Sequence, residues 1–225
     1  MEKWFKVFVS STSEDLQVER DKVMRLLLKI NCIPAGMENF PSTGEHQWEI
    51  IKRNICSSNY YLLILAGRYG SINESGVGGA EYKGLSFTEM EYKYAISKGK
   101  PVLPFLYSDI DNLPALKCEK SRYKTQKLKE LRKAVEQETE VQYWSNPDEL
   151  CTLISTSLHH TFLVTPTSGF ISPSDLSPML LLLQEERDRL SLKCQMLQSC
   201  IDRQKGEIAQ LMKELEELYS SQIKL

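Results

Sequence analysis

The sequence predicts an α/β domain wound on a parallel sheet, followed by a separate coiled-coil helix. Strand-like apolar runs alternate with helix-like segments over roughly the first 165 residues, the pattern that βαβ units require. The strongest run, Tyr60–Ala66 (YYLLILA), is apolar at every position, as a central parallel strand buried on both faces must be. Beyond residue 177 the period changes, and leucine recurs at every seventh position.

Each element has a local reason. Lys6–Ser11 (KVFVSS) reads as a buried strand, and a Ser/Thr turn then leads into a helix over Asp15–Ile30. Cys32–Asn39 is a shorter strand, and a Pro-Ser-Thr-Gly loop separates it from a helix over Glu45–Ser57. The central strand is followed by a glycine-rich loop, Gly67–Gly84, and a helix over Ser86–Lys98. Pro101–Tyr107 is a fourth strand, a basic helix is expected at about 115–137, and Val141–Trp144 is a fifth strand. A closing helix runs from Pro147 to His160. Right-handed crossovers wind such a series into a doubly wound, flavodoxin-like sheet. The expected division is an α/β domain over 1–164, a Thr/Ser/Pro-rich linker over 165–177 and a coiled coil over 178–225.

The coiled coil rests on Leu176, Leu183, Leu190, Leu197, Leu211, Leu218 and Leu225, one heptad register that only Gln204 interrupts. Cys194, Ile201, Ile208 and Leu215 supply the second apolar seam. Ser177-Pro178 has the character of a helix start, with Ser as cap and Pro in the first turn. A helix from Pro178 onward is about 70 Å long at 1.5 Å per residue, too long to lie across one small domain. Homo-oligomers of the full chain, and a monomeric 1–170 fragment, are therefore expected.

Composition narrows the function. The 225 residues are 41% hydrophobic and 26% charged, enough for a sizeable core and too apolar for wholesale disorder. With 28 Lys+Arg against 30 Asp+Glu the net charge is −2, which argues against general nucleic-acid binding. No apolar run approaches the roughly 18 residues that span a bilayer, and the N-terminus lacks the pattern of a secretory signal. Six scattered cysteines, with no C-x-x-C pair, argue against structural zinc and a disulfide framework, and place the chain in a reducing, cytoplasmic setting. His46, His159 and His160 lack metal-ligand spacing, so no metal and no resident cofactor is expected.

Ligands of open parallel sheets bind beyond the carboxyl ends of the strands. After the first strand comes Ser10-Ser11-Thr12-Ser13-Glu14-Asp15, whose hydroxyls and N–H groups suit a phosphate or a ribose; N-capping by Ser13 is the simpler reading. Neither a P-loop nor a G-x-G-x-x-G is present. Arg20 falls inside the apolar stripe of Leu16, Val23, Leu27 and Ile30, and must snorkel or meet an acid such as Glu38 or a phosphate. Glu91 falls inside the apolar arc of Phe87, Met90, Tyr94 and Ala95, either as a functional carboxylate or as a buried partner of a group such as Arg20. Glu89 falls on the far side of the helix, four residues before Lys93, with which it can pair. A run of cations over Lys117–Lys133 reads as a solvated helix face, with a docking site for an acidic partner or nucleic acid as the lesser alternative.

Several blocks in order then carry a resemblance: Ser10-Ser11-Thr12-x-x-Asp15-Leu16-x-x-Glu19-Arg20, Met37-Glu38-x-Phe40, Gly67-Arg68-Tyr69-Gly70, Ser86-x-Thr88-Glu89-x-Glu91-Tyr92-x-Tyr94-Ala95 and Lys100-Pro101-Val102. Over about residues 4–110 they resemble the domain-of-unknown-function 4062 family, which is TIR-like and occurs in defence and signalling proteins. The segment from Glu91 to Val102 also resembles nucleoside 2-deoxyribosyltransferases, in which the matching Glu attacks the anomeric carbon. Lys93 stands where those enzymes have Gly, a departure that speaks against the transferase reaction. The resemblance implies Glu91 as catalytic carboxylate, with Glu89 second, and NAD as a substrate cleaved at its N-glycosidic bond. Ser10, Ser11, Thr12, Arg20, Glu38, Phe40, Arg68 and Tyr69 are the expected nucleotide-binding residues. Arg68 suits a pyrophosphate, and Phe40, Tyr69 or Tyr92 suits stacking on a base. The competing readings are a catalytically silent adaptor that assembles with protein partners, and a nucleoside N-glycosidase or transferase.

Overall fold

Five parallel strands form the centre of the chain, in the spatial order β2-β1-β3-β4-β5. The computed structural model describes the backbone of residues 3–36, 44–171 and 173–222, and the side chains of 3–36, 47–170 and 180–213. The strands are β1 (Lys3–Ser11), β2 (Cys32–Ala35), β3 (Tyr60–Leu65), β4 (Val102–Tyr107) and β5 (Gln142–Trp144). The helices between and after them are α1 (Gln17–Lys29), α2 (Gly44–Ser57), α3 (Phe87–Ser97), α4 (Arg122–Glu138) and α5 (Pro147–Val164). This is the flavodoxin-like doubly wound order, with its reversal point between β1 and β3.

The period-2 alternation of β3 explains the two cores. Tyr60, Leu62 and Ile64 face one side of the sheet, where Leu16, Val23 and Leu27 of the α1 region and Leu150, Ile154 and Leu158 of α5 cover them. Tyr61, Leu63 and Leu65 face the other, against Trp48, Ile51 and Ile55 of α2, Met90 and Ala95 of α3, and Leu128, Leu131 and Val135 of α4. All six strand residues are buried, which accounts for a run with no polar alternation.

Three local expectations need correction. Ser13 does not cap α1: the cap position is Leu16, without a side-chain bond, and the helix begins at Gln17 rather than Asp15. The basic helix begins at Arg122, not near 115, because Pro114 and a single tight turn over Ala115–Lys117 intervene. A side-chain cap is present at α3, where the Glu89 N–H donates to Ser86 Oγ at 3.2 Å.

The chain divides into two units, with the boundary between Phe170 and Ile171. The second contains α6 (Pro173–Gln222), 50 residues of continuous helix. It begins at Pro173 rather than at Pro178, the proline without an N–H taking the first position, where none is required. Every described side chain of α6, from Leu180 to Lys213, is exposed. No described helix is long and apolar enough to cross a membrane.

Candidate functional site

The carboxyl ends of β1 and β3 open into a cleft of about 330 Å³ at the reversal point of the sheet. Its walls are Ser11–Glu14 after β1, Arg68, Gly70 and Ser71 after β3, Arg20 of α1, Phe87 and Thr88 of α3, and Glu119 and Lys124. The walls therefore include the stretch before α1 and the first turns of α3 and α4. Helix N-termini present unsatisfied N–H groups and a partial positive charge, so the starts of α3 and α4 at one cleft favour an anion.

Each cation of the cleft is held. Arg20, only 7% exposed, donates through Nη1 to the Ser11 hydroxyl and, at 3.4 Å, to the Ser11 carbonyl. It stands in the apolar stripe as expected, and its head reaches the strand end, six residues before the start of its own helix. Arg68 donates through Nη1 to Glu14 and through Nη2 to the Leu116 carbonyl at 2.9 Å. Its Nε is buried without a partner among the described residues. Lys124 donates to the Gly70 carbonyl at 3.1 Å. Gly70 has φ +97°, and a Cβ there would stand 3.1 Å from Thr12 Cγ2, so the narrow approach of the two loops needs glycine.

Beneath the loop after β1 lie two buried carboxylates. Thr12 donates to Asp15 Oδ1 at 2.5 Å, while Asp15 Oδ2 has no partner among the described residues. Burial pushes the Asp15 carboxyl up from its ordinary value, and the Thr12 bond and the nearby Arg68 and Lys117 charges oppose the rise. Lys117 itself pairs with the buried Glu19 at 2.6 Å.

Glu91 is 2% exposed, inside the apolar arc where helical geometry sets it. It accepts a hydrogen bond from Ser10, itself 1% exposed. Beside the pair on β3, burial first and then the Glu91 carboxylate raise the Tyr61 phenol well above its ordinary value. Neither Ser10 nor Glu91 lines the cleft; they lie behind Ser11. Glu89 is buried rather than solvated: Tyr69 donates to its Oε2 at 2.5 Å, and Lys93 pairs with its Oε1 at 2.9 Å. The second contact is the i,i+4 pair that the spacing predicts.

Of the residues singled out from sequence, Ser11, Thr12, Arg20 and Arg68 meet in one cleft, and Ser10 and Glu91 meet behind it. Tyr69 is not among the lining residues: its ring is packed in the core, and its hydroxyl is bonded to Glu89 and to the Ser86 N–H at 3.1 Å. Tyr92 is likewise buried, its hydroxyl donating to Glu138 at 2.7 Å. Glu38 and Phe40 lie outside the described residues, as does the side chain of His46. Lys124 and Thr88 are among the lining residues that the sequence did not mark as binding residues. Lys124 was hidden in a run of cations, and only the start of α4 at Arg122 turns it toward the loop after β3. Among the described residues no group of three or more His, Cys, Asp or Glu converges on a metal position.

No curated protein matches the chain. A family model does, over residues 6–159, and these include every described residue of the cleft and of the Ser10–Glu91 pair. The chain belongs to the family described as domain of unknown function DUF4062.

Proposed function

We propose that this chain is a TIR-like signalling domain that binds a nucleotide by its phosphates in the β1/β3 cleft and cleaves the N-glycosidic bond of NAD. The observation that carries the reading is the Ser10–Glu91 hydrogen bond, which joins a buried carboxylate to the strand end whose next three residues wall a cationic cleft. Arg20, Arg68, Lys124 and the N-termini of α3 and α4 supply the charge that a pyrophosphate needs. The Glu14 carboxylate then leaves Arg68 to the ligand, an exchange made easy by the 74% exposure of the Glu14 side chain.

The chemistry asks little more of the protein. The C1′–N bond of NAD breaks with its electron pair going to the pyridinium nitrogen, so nicotinamide leaves neutral and needs no general acid. Carboxylate charge beside C1′ stabilises the oxocarbenium-like state, and water adds there with loss of a proton, giving ADP-ribose and nicotinamide. Glu91 is the carboxylate assigned to that role, which requires Ser10 to give way because Glu91 does not itself line the cleft; Glu89 is the second choice, already committed to Tyr69 and Lys93.

A catalytically silent assembly module is the second reading, favoured by the near-complete burial of Glu91. Incubation of concentrated full-length protein with NAD, NADP and deoxynucleosides, followed by chromatography, separates the readings. Nicotinamide and ADP-ribose from NAD support cleavage. Free base from the deoxynucleosides alone supports a nucleoside N-glycosidase, and unchanged substrates in every arm support the assembly module.

A further inference from the structure

We propose that α6 pairs with α6 of a second copy of this chain, antiparallel and in a single register, with Arg187 of each copy opposite Gln204 of the other. The inference rests on the helix alone and not on the reading of the cleft. Along the described side chains the seam alternates Leu180, Arg187, Cys194, Ile201 and Ile208 with Leu183, Leu190, Leu197, Gln204 and Leu211. The aliphatic members are open to solvent, Leu197 at 63% and Leu211 at 62%, and an exposed seam of this length, apolar but for Arg187 and Gln204, calls for a cover.

The two interruptions choose the direction. In a parallel pair every seam residue meets its own copy, so Arg187 meets Arg187 and Gln204 meets Gln204. Two guanidiniums carry ten N–H donors and no acceptor between them, and their charges repel. In an antiparallel pair the two seam positions face each other, and registers differ by one heptad. Only one of them sets Arg187 against Gln204, whose amide oxygen accepts from a guanidinium. In that register Leu180 faces Leu211, Leu183 faces Ile208, Leu190 faces Ile201 and Cys194 faces Leu197, so each remaining layer is apolar. A shift of one heptad sets Arg187 against Leu197 or Leu211 and strands Gln204 against Leu180 or Cys194.

Two further features agree. The register overlaps all but the last turn of each helix, burying nearly the full length of both seams. Glu186 of one copy and Glu207 of the other flank the mixed layer, and Arg187 lies between these like charges as their counter-ion. In the single chain the same guanidinium donates to Asp188, at 2.9 Å through Nε and 2.7 Å through Nη2, an exposed contact that it exchanges for Gln204 in the pair.

The test is a pair of distance measurements on the full chain. A spin label is introduced through a non-canonical keto amino acid, first at Gln195 and separately at Ala209, so that the six native cysteines stay in place. Electron–electron dipolar spectroscopy should find the Gln195 labels close together and the Ala209 labels about 40 Å apart along the axis, at 1.5 Å per residue. Light scattering should give a dimer. The same short distance at both positions means a parallel pair and overturns the proposal. So does a 209 distance displaced by a heptad, or a monomer with no dipolar signal. Replacing Leu190, Leu197 and Leu211 together by Asp should abolish both signals while leaving the circular dichroism of the α/β domain intact.

Discussion

Ser10 donates its hydroxyl proton to the carboxylate of Glu91, a bond that spans 81 residues of sequence and joins β1 to α3. It makes the end of β1 a hinge between two environments. Ser10 turns inward to a buried acid, whereas Ser11 meets Arg20 at the edge of the cleft. A strand's alternation requires neighbours to point apart, so one carboxylate and one cation are addressed by adjacent hydroxyls.

Arg68→Ala should weaken binding of NAD by about 1.5–3 kcal/mol, the scale for a hydrogen bond to a charged group. Because Glu14 competes for the same guanidinium, Glu14→Gln should strengthen binding. Calorimetric titration measures both, and equal affinities in the three proteins would remove Arg68 from the ligand.

Asp15 gives the cleft a pH signature. Burial raises its carboxyl above the ordinary 3.8, so the folded chain holds that proton more tightly than the unfolded chain does. The cost of the buried charge is absent below 3.8 and develops as pH rises through the raised folded value. Asp15→Asn cannot ionise, and keeps an oxygen to accept from Thr12. Its stability relative to the parent should therefore increase as pH rises from 3.8 toward neutrality, in urea unfolding read at several pH values. A difference independent of pH would show that the carboxyl titrates alike in both states.

Tyr69→Phe should cost about 1–3 kcal/mol in unfolding free energy, because it strips a donor from buried Glu89 and an acceptor from the Ser86 N–H. NAD affinity should stay unchanged, since the ring lies outside the cleft. A large loss of affinity at unchanged stability would return Tyr69 to the ligand-binding surface.

These cases show what the sequence makes legible. The sheet could be read because β3 must be apolar on both faces, and Glu91 because, at 100° per residue, a carboxylate falling among Met90, Tyr94 and Ala95 stands out. Arg20 could be read for the same reason. Of the contacts of Glu89, the pair with Lys93 could be read from spacing but the bond from Tyr69 could not: Tyr69 reaches it across a glycine-rich loop, and no local period encodes that contact. Lys124 was illegible because one cation among many carries no pattern, and its contact with Gly70 depends on where α4 starts. Ser13 misled because a hydroxyl before a helix is a cap only if the helix begins beside it, and here Glu14 and Asp15 intervene before the cap position at Leu16.

The most direct measurement is nicotinamide release from NAD by the full chain beside its Glu91→Gln and Glu89→Gln variants, with fold and oligomer size checked for each. Gln keeps the shape of Glu91 and removes its charge, so release should fall by roughly 100-fold or more in that variant, and by far less in Glu89→Gln. Full activity in Glu91→Gln would contradict the assignment, and the reverse order of the two variants would move the chemistry to Glu89.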